Sequence, residues 1–207
     1  MPAERIALET LLCDTHSPDS ALARLAERIE AGSIFVYPTE TIYGIGGCMR
    51  DAVEQKIIAA KKRRPDSPMI LIASSQEAFA ALGIRLNALA TMLAEKFWPG
   101  NLTMVVATGQ EHTTAAIRVS AHPFLQALGK HYNSPVYSTS ANISSEPYNS
   151  DPDTIYRLFS NNVDFMVDAG MLPPSPPSTV VEILDSDIKI LREGAIAAQE
   201  LVALVNR

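Results

Sequence analysis

SPDSALARLAERIEAGSIFVYPTETIYGIGG, residues 17–47, contains both periodicities from which the fold is read. In its first half Leu22, Leu25, Ala26 and Ile29 recur at helical spacing behind the N-cap candidates Ser17 and Asp19, which predicts an amphipathic helix over 17–31. Gly32 ends that helix. Ile34, Phe35, Val36 and Tyr37 then form a short apolar run into Pro38, the pattern of a buried strand reaching a functional turn. Residues 39–47 are expected as a polar, glycine-rich loop.

The same alternation continues outward. A second helix is predicted over 51–62, a strand over 69–73, and a helical pair over 76–97 that stops at Pro99 and Gly100. Further strands are predicted at 102–107, 116–119, 136–138, 164–167, 179–183 and 188–191, with helices at 122–131, 151–160 and 197–206. Interspersed helices and strands imply an α/β class with a twisted mixed sheet flanked by helices, although strand order is not readable from one sequence. PPSPPS at 173–178 is the one low-complexity stretch and suits a stiff surface loop; no internal repeat is present.

With 207 residues, 47% hydrophobic and 19% charged, the chain is expected to form one domain spanning 1–207 around a single core. It has no run of roughly 18 uncharged apolar residues, and Glu4, Arg5 and Glu9 interrupt the place where a signal peptide needs its apolar core, so a cytoplasmic protein without membrane association is expected. Cys13 and Cys48 lack metal-site spacing and read as ordinary thiols. The net charge of -6 disfavours broad affinity for nucleic acid, which rests on clustered Lys and Arg.

No P-loop and no dinucleotide fingerprint is present, so any phosphate binding must be arranged differently. Lys61, Lys62, Arg63 and Arg64 crowd the end of a predicted helix; they read either as a phosphate clamp or as a solvated cationic helix end favoured by the macrodipole. STSAN, 138–142, follows an apolar run and reads either as a ligand site at a strand's C-terminal end or as an Asx/ST turn. In YPTETIYGIG, 37–46, hydroxyls bracket the single carboxylate of Glu40, suiting a small polar ligand or a strand-ending turn. Arg118 and Arg192 fall in or beside predicted strands, where they face either an anion or solvent.

Taken in order, YPTETIYGIG, a Lys-x-Arg element before PMILI (68–72), WPGNLT (98–103), IRVSAHP (117–123), STSAN, PSTVV (177–181) and LREG (191–194) resemble the YrdC/YciO family over about 21–194. The resemblance implies a YrdC-like fold around a positively lined cavity. It also implies a nucleotidyltransferase that forms threonylcarbamoyl-AMP from ATP, L-threonine and bicarbonate, with release of pyrophosphate, for threonylcarbamoyl modification of tRNA adenosine 37. The Lys-x-Arg and Ser-x-Asn elements carry over to Lys61, Arg63, Ser140 and Asn142 as catalytic and ATP-binding residues, with Arg192 as a further ATP contact. Thr39, Thr41, Arg118, Ser138 and Ser178 carry over as the threonine site.

This sequence departs from the family's pattern by placing Arg64 where a Pro usually follows the Arg, which leaves Lys62 and Arg64 as an alternative register; the seven-residue count back from Pro68 favours Lys61. Ser120 also replaces a frequent Pro. The Ser-x-Asn pair places the chain with the synthases instead of the YciO branch, and its length resembles the short bacterial form. Magnesium is expected to accompany ATP on phosphate oxygens and water, with no dedicated protein ligand. tRNA-modification transferase proteins are the implied downstream partners. Two other readings are a double-stranded RNA or tRNA-binding module without synthase activity, and a carbamoyl-transfer module like that of hydrogenase-maturation proteins.

Overall fold

The computed structural model describes residues 1–65, 67–109 and 113–205. In chain order these form β1 (Glu4–Ala7), α1 (Leu8–Leu12), α2 (Ala21–Glu30), β2 (Ile34–Pro38), β3 (Tyr43–Cys48), α3 (Asp51–Lys61), β4 (Ile70–Ala73), α4 (Glu77–Ala80) and α5 (Ala88–Phe97). They continue with β5 (Leu102–Ala107), β6 (Thr114–Val119), α6 (Pro123–Leu128), β7 (Val136–Ser140), α7 (Pro152–Phe159), β8 (Phe165–Asp168), β9 (Thr179–Ile183), β10 (Ile188–Arg192) and α8 (Ala198–Val205). The last predicted helix runs to 206, which lies outside the described residues.

The described strands join in one sheet in the order β1-β8-β2-β3-β7-β4-β6-β5-β9-β10. Pairing is mixed: β8 is parallel to β1 and β2, β4 to β6 and β5 to β9, and the remaining neighbours run antiparallel. The twofold and helical periodicities thus resolve into the expected α/β class.

Helix α2 forms because its apolar stripe is buried at Leu22, Leu25, Ala26 and Ile29. Its cap is Ser20 in place of the expected Ser17 or Asp19: the Ser20 hydroxyl accepts from the Ala23 amide at 3.2 Å. Gly32, at φ +98, ends the helix in a backbone conformation that side-chain-bearing residues rarely adopt.

The expected loop over 39–47 is corrected. Its second half is β3, a fully buried strand paired on both sides with β2 and β7. Glycine reads as loop, yet here it answers to crowding: a Cβ on Gly46 would lie 2.1 Å from the Tyr137 carbonyl oxygen, and one on Gly47 2.5 Å from Val53. Strand β1 has no counterpart in the sequence pattern either. ERIA is mostly exposed, with no buried position, and owes its strand state to parallel pairing with β8.

Two clusters of buried side chains hold the sheet. Around β2, β3 and β8, Phe35 stacks on Phe165 with ring centroids 5.0 Å apart, alongside residues of α1, α2, α6 and α7. Around β5 and β6 the second cluster joins α4, α5 and α8. Each fully buried large apolar side chain contributes about 1.5–3 kcal/mol, so these clusters dominate the stabilisation. They also fix the strand ends from which the site is built.

Candidate active site

The turn between β2 and β3 is built by Thr39. Its hydroxyl donates to the Ile42 carbonyl oxygen at 2.7 Å and accepts from the amides of Thr41 and Ile42 at 3.3 and 3.2 Å, closing an ST turn. Turn chemistry and site chemistry therefore coexist here, since Thr39 and Thr41 also line a cavity of about 290 Å³. Beneath them, Tyr37 donates to the Ser138 hydroxyl at 2.6 Å. Burial pushes the Tyr37 phenol well up, so it stays a neutral donor and leaves the Ser138 hydrogen free for another acceptor. A Cβ on Gly44 or Gly46 would come within 3.3 or 3.1 Å of the Tyr37 ring, so these glycines are what admit it.

Arg118, on β6, is only 3% exposed and yet lines the cavity. Its Nε donates to the Gly100 carbonyl oxygen at 2.8 Å, and its Nη2 to Asn101 Oδ1 at 2.7 Å and Glu40 Oε2 at 2.9 Å. Burial lowers the Arg118 pKa while Glu40 raises it in opposition, and the guanidinium remains charged.

The four-residue basic run divides by the geometry of the α3 C-terminus. Lys62 takes a left-handed conformation, φ 51, and the chain turns so that Lys61 is buried and Arg63 half-buried, while Lys62 and Arg64 are exposed. Arg63 lines the cavity. Its Nη1 donates to Thr139 Oγ1 at 2.9 Å and its Nη2 to the Pro68 carbonyl oxygen at 2.8 Å, and its buried Nε has no partner among the described residues. Burial lowers its pKa.

Lys61 and Asn142 do not line the cavity; they sit behind its wall. The Lys61 ammonium donates to the Ser140 main-chain oxygen, to the Asn142 main-chain oxygen at 2.6 Å and to Asn142 Oδ1 at 3.3 Å. Burial, with Arg63 nearby, brings its pKa down to about 8. The Ser140 hydroxyl, on the cavity wall, donates to Asn142 Oδ1 at 2.5 Å. Lys61 thus holds the turn that presents Ser140.

On the far side Arg192, at the end of β10, donates through Nε and Nη2 to the Ser178 carbonyl oxygen at 3.2 and 2.8 Å, and through Nη2 to Ser178 Oγ at 3.2 Å. Ser178 Oγ lies 3.0 Å from Thr103 Oγ1. Burial lowers the Arg192 pKa, and the Arg118 charge lowers it further.

Of the residues singled out from sequence, Thr39, Thr41, Arg63, Arg118, Ser138, Ser140, Ser178 and Arg192 share this one cavity, and Lys61 and Asn142 support it. Thr139 lies on the wall within the STSAN segment without having been singled out, and Tyr37 and Ser120 act from behind it. Glu40 had one legible signal: a buried strand arginine needs a counter-charge, and Glu40 is the only carboxylate in the hydroxyl-rich 37–46 stretch.

The family model Sua5/YciO/YrdC, described as "Telomere recombination", matches residues 27–194. The chain belongs to the Sua5/YciO/YrdC family. Within it, this Sua5/YciO/YrdC chain is 30% identical over 188 residues to the threonylcarbamoyl-AMP synthase of Pyrococcus abyssi, covering 86% of this chain and 55% of that protein. It is 30% identical over 201 residues to the threonylcarbamoyl-AMP synthase of Bacillus subtilis, covering 91% and 57%. Its fold superposes on the crystal structure of P. abyssi Sua5 complexed with L-threonine with a TM-score of 0.82 at 25% identity, covering 99% of this chain and 61% of that one. The chain therefore spans little more than half the length of these relatives.

Proposed function

We propose that this chain makes threonylcarbamoyl-AMP from ATP, L-threonine and bicarbonate, for use by tRNA-modification transferases that install threonylcarbamoyl on adenosine 37. The supporting observation is that three guanidinium groups, Arg63, Arg118 and Arg192, border one cavity, and of these three only Arg118 is paired with a carboxylate of the described residues. A site for mutually repelling anions needs that excess of positive charge, and guanidinium groups bind phosphate and carboxylate oxygens two at a time. The same activity is named for the P. abyssi and B. subtilis relatives, and L-threonine is the ligand of the P. abyssi structure.

In this mechanism the threonine amine attacks bicarbonate, a C–N bond forms and water leaves, giving a carbamate. A carbamate oxygen then attacks the α-phosphorus of ATP, an O–P bond forms, and the bond to the β-phosphate breaks to release pyrophosphate. Arg63 and Arg192 offset charge on the phosphates; besides its buried Nε–H, Arg63 keeps one N–H on each Nη without a partner among the described residues. Arg118 takes the amino acid carboxylate, the hydroxyl groups of Thr41 and Ser138 orient the amino acid, and Ser140, whose own hydrogen goes to Asn142, aligns the carbamate by accepting from its N–H. At about 290 Å³ the cavity is close to the lower bound usual for ligand sites, about 300–1,000 Å³.

Magnesium, when bound with ATP, adds charge neutralisation. The ion dehydrates reluctantly, so it would be held chiefly by phosphate oxygens and water, while the Glu40 oxygens are engaged by Arg118, Ser120 and Ala121. Among the described residues no helix is long and apolar enough to cross a membrane.

The test is mass-spectrometric detection of threonylcarbamoyl-AMP after incubation with ATP, L-threonine, bicarbonate and magnesium. Product that requires all three substrates is expected. Salt-dependent binding of double-stranded RNA with no nucleotide turnover would instead favour the RNA-binding reading.

A further inference from the structure

Glu40 is a carboxylate built into the wall of a site for anions, where it ought to be a liability, yet its surroundings are arranged around it. Three donors converge on its two oxygens: the Arg118 Nη2 at 2.9 Å and the Ser120 hydroxyl at 2.9 Å meet Oε2, and the Ala121 amide meets Oε1 at 2.5 Å. Its side chain is 17% exposed and does not line the cavity. The group is thus turned away from the anions and toward Arg118.

The consequence for Arg118 is geometric. Gly100, Asn101 and Glu40 take its Nε and Nη2, so Nη1 is the one guanidinium nitrogen with no protein partner among the described residues, on a residue that borders the cavity. Glu40 lies between Thr39 and Thr41, so the same carboxylate also ties their turn to the β6–α6 junction at Ser120 and Ala121. One side chain sets both the cation and the hydroxyls of the amino acid site.

We propose that Glu40 is a positioning residue, which holds the Arg118 guanidinium with Nη1 as its free corner so that the corner docks the carboxylate of the amino acid substrate. This inference rests on the proposed synthase reading. It also assigns the two ends of the cavity different electrostatics. The Arg118–Glu40 pair is neutral overall and fits a zwitterionic amino acid, whereas Arg63 and Arg192, without carboxylate partners among the described residues, fit a polyanion.

The deciding variant is Glu40→Gln. An amide keeps the shape but offers one acceptor oxygen where the carboxylate offers two, so at least one of the three converging donors meets an NH2 group. Two readouts are taken on the same folded protein. The first is the Arg118 Nε–H resonance in a proton–nitrogen spectrum without substrate, assigned by its loss in Arg118→Lys; it is expected to shift and broaden. The second is steady-state kinetics: KM for L-threonine is expected to rise roughly tenfold, with kcat and KM for ATP each within about threefold of wild type.

An unmoved Arg118 resonance, an unchanged threonine KM, or equal rises in the threonine and ATP KM values would each overturn the proposal. Should Glu40→Gln not fold, Ser120→Ala removes one donor and leaves the carboxylate, and a threonine-selective KM rise of about threefold is expected in its place; no rise would count equally against the proposal. A wild-type protein that forms no threonylcarbamoyl-AMP sinks the synthase reading by itself, while the substrate-free resonance still decides whether Glu40 sets Arg118.

Discussion

The buried ammonium of Lys61 lies 2.6 Å from the main-chain oxygen of Asn142, a residue 81 positions further along the chain. This contact ties the end of α3 to the turn after β7, and a second bond, from the Ser144 amide to the Lys61 carbonyl oxygen at 2.9 Å, closes it. Lys61→Met should leave the Ser140 and Asn142 oxygens without their donor and cost about 1–3 kcal/mol in urea denaturation. Because the folded pKa is near 8 against 10.5 for a free lysine, the unfolded state binds more protons between those values. The stability of wild type relative to Lys61→Met should therefore rise with pH through that window, and unfolding midpoints at pH 7, 9 and 10 check the sign.

Arg63 lines the cavity, and its buried Nε has no partner among the described residues. Arg63→Ala should lower ATP–pyrophosphate exchange, measured with threonine and bicarbonate present, by about 100-fold. Arg63→Lys should recover little, because one ammonium cannot hold Thr139 and Pro68 and still present a planar fork. Wild-type exchange in both variants would remove Arg63 from the phosphate site.

Tyr37→Phe deletes the donor to Ser138 without changing the ring that fills the space beneath Gly44 and Gly46. A loss of about 1 kcal/mol in stability is expected. Threonine affinity should weaken by a few-fold, read by calorimetry, because a freed Ser138 hydroxyl turns toward its own neighbours.

Gly46→Ala tests the crowding that makes β3 glycine-rich. The added carbon would meet the Tyr137 carbonyl oxygen of β7, and backbone on a paired central strand cannot swing aside as a side chain can. Destabilisation of about 3 kcal/mol or more is expected in chemical denaturation. Gly83→Ala, with open space around its Cβ but φ +76, should cost less, which separates crowding from conformational strain.

What the sequence determined alone was everything carried by local periodicity and local chemistry. The apolar stripe Leu22, Leu25, Ala26, Ile29 gave α2, apolar runs located β2 and most of the later strands, and ordered motifs pointed to residues most of which line one cavity, with Lys61 and Asn142 behind its wall. Tertiary structure decided the rest, because those facts depend on neighbours distant in sequence. It made a strand of YGIGGC, where glycines are required by Tyr37, Val53 and Tyr137. It turned Lys61 and Arg63 inward and left Lys62 and Arg64 in solvent, through one left-handed residue. It also paired Glu40 with Arg118 across 78 positions, since a buried charge finds its counter-charge by proximity in space, which chain order does not encode.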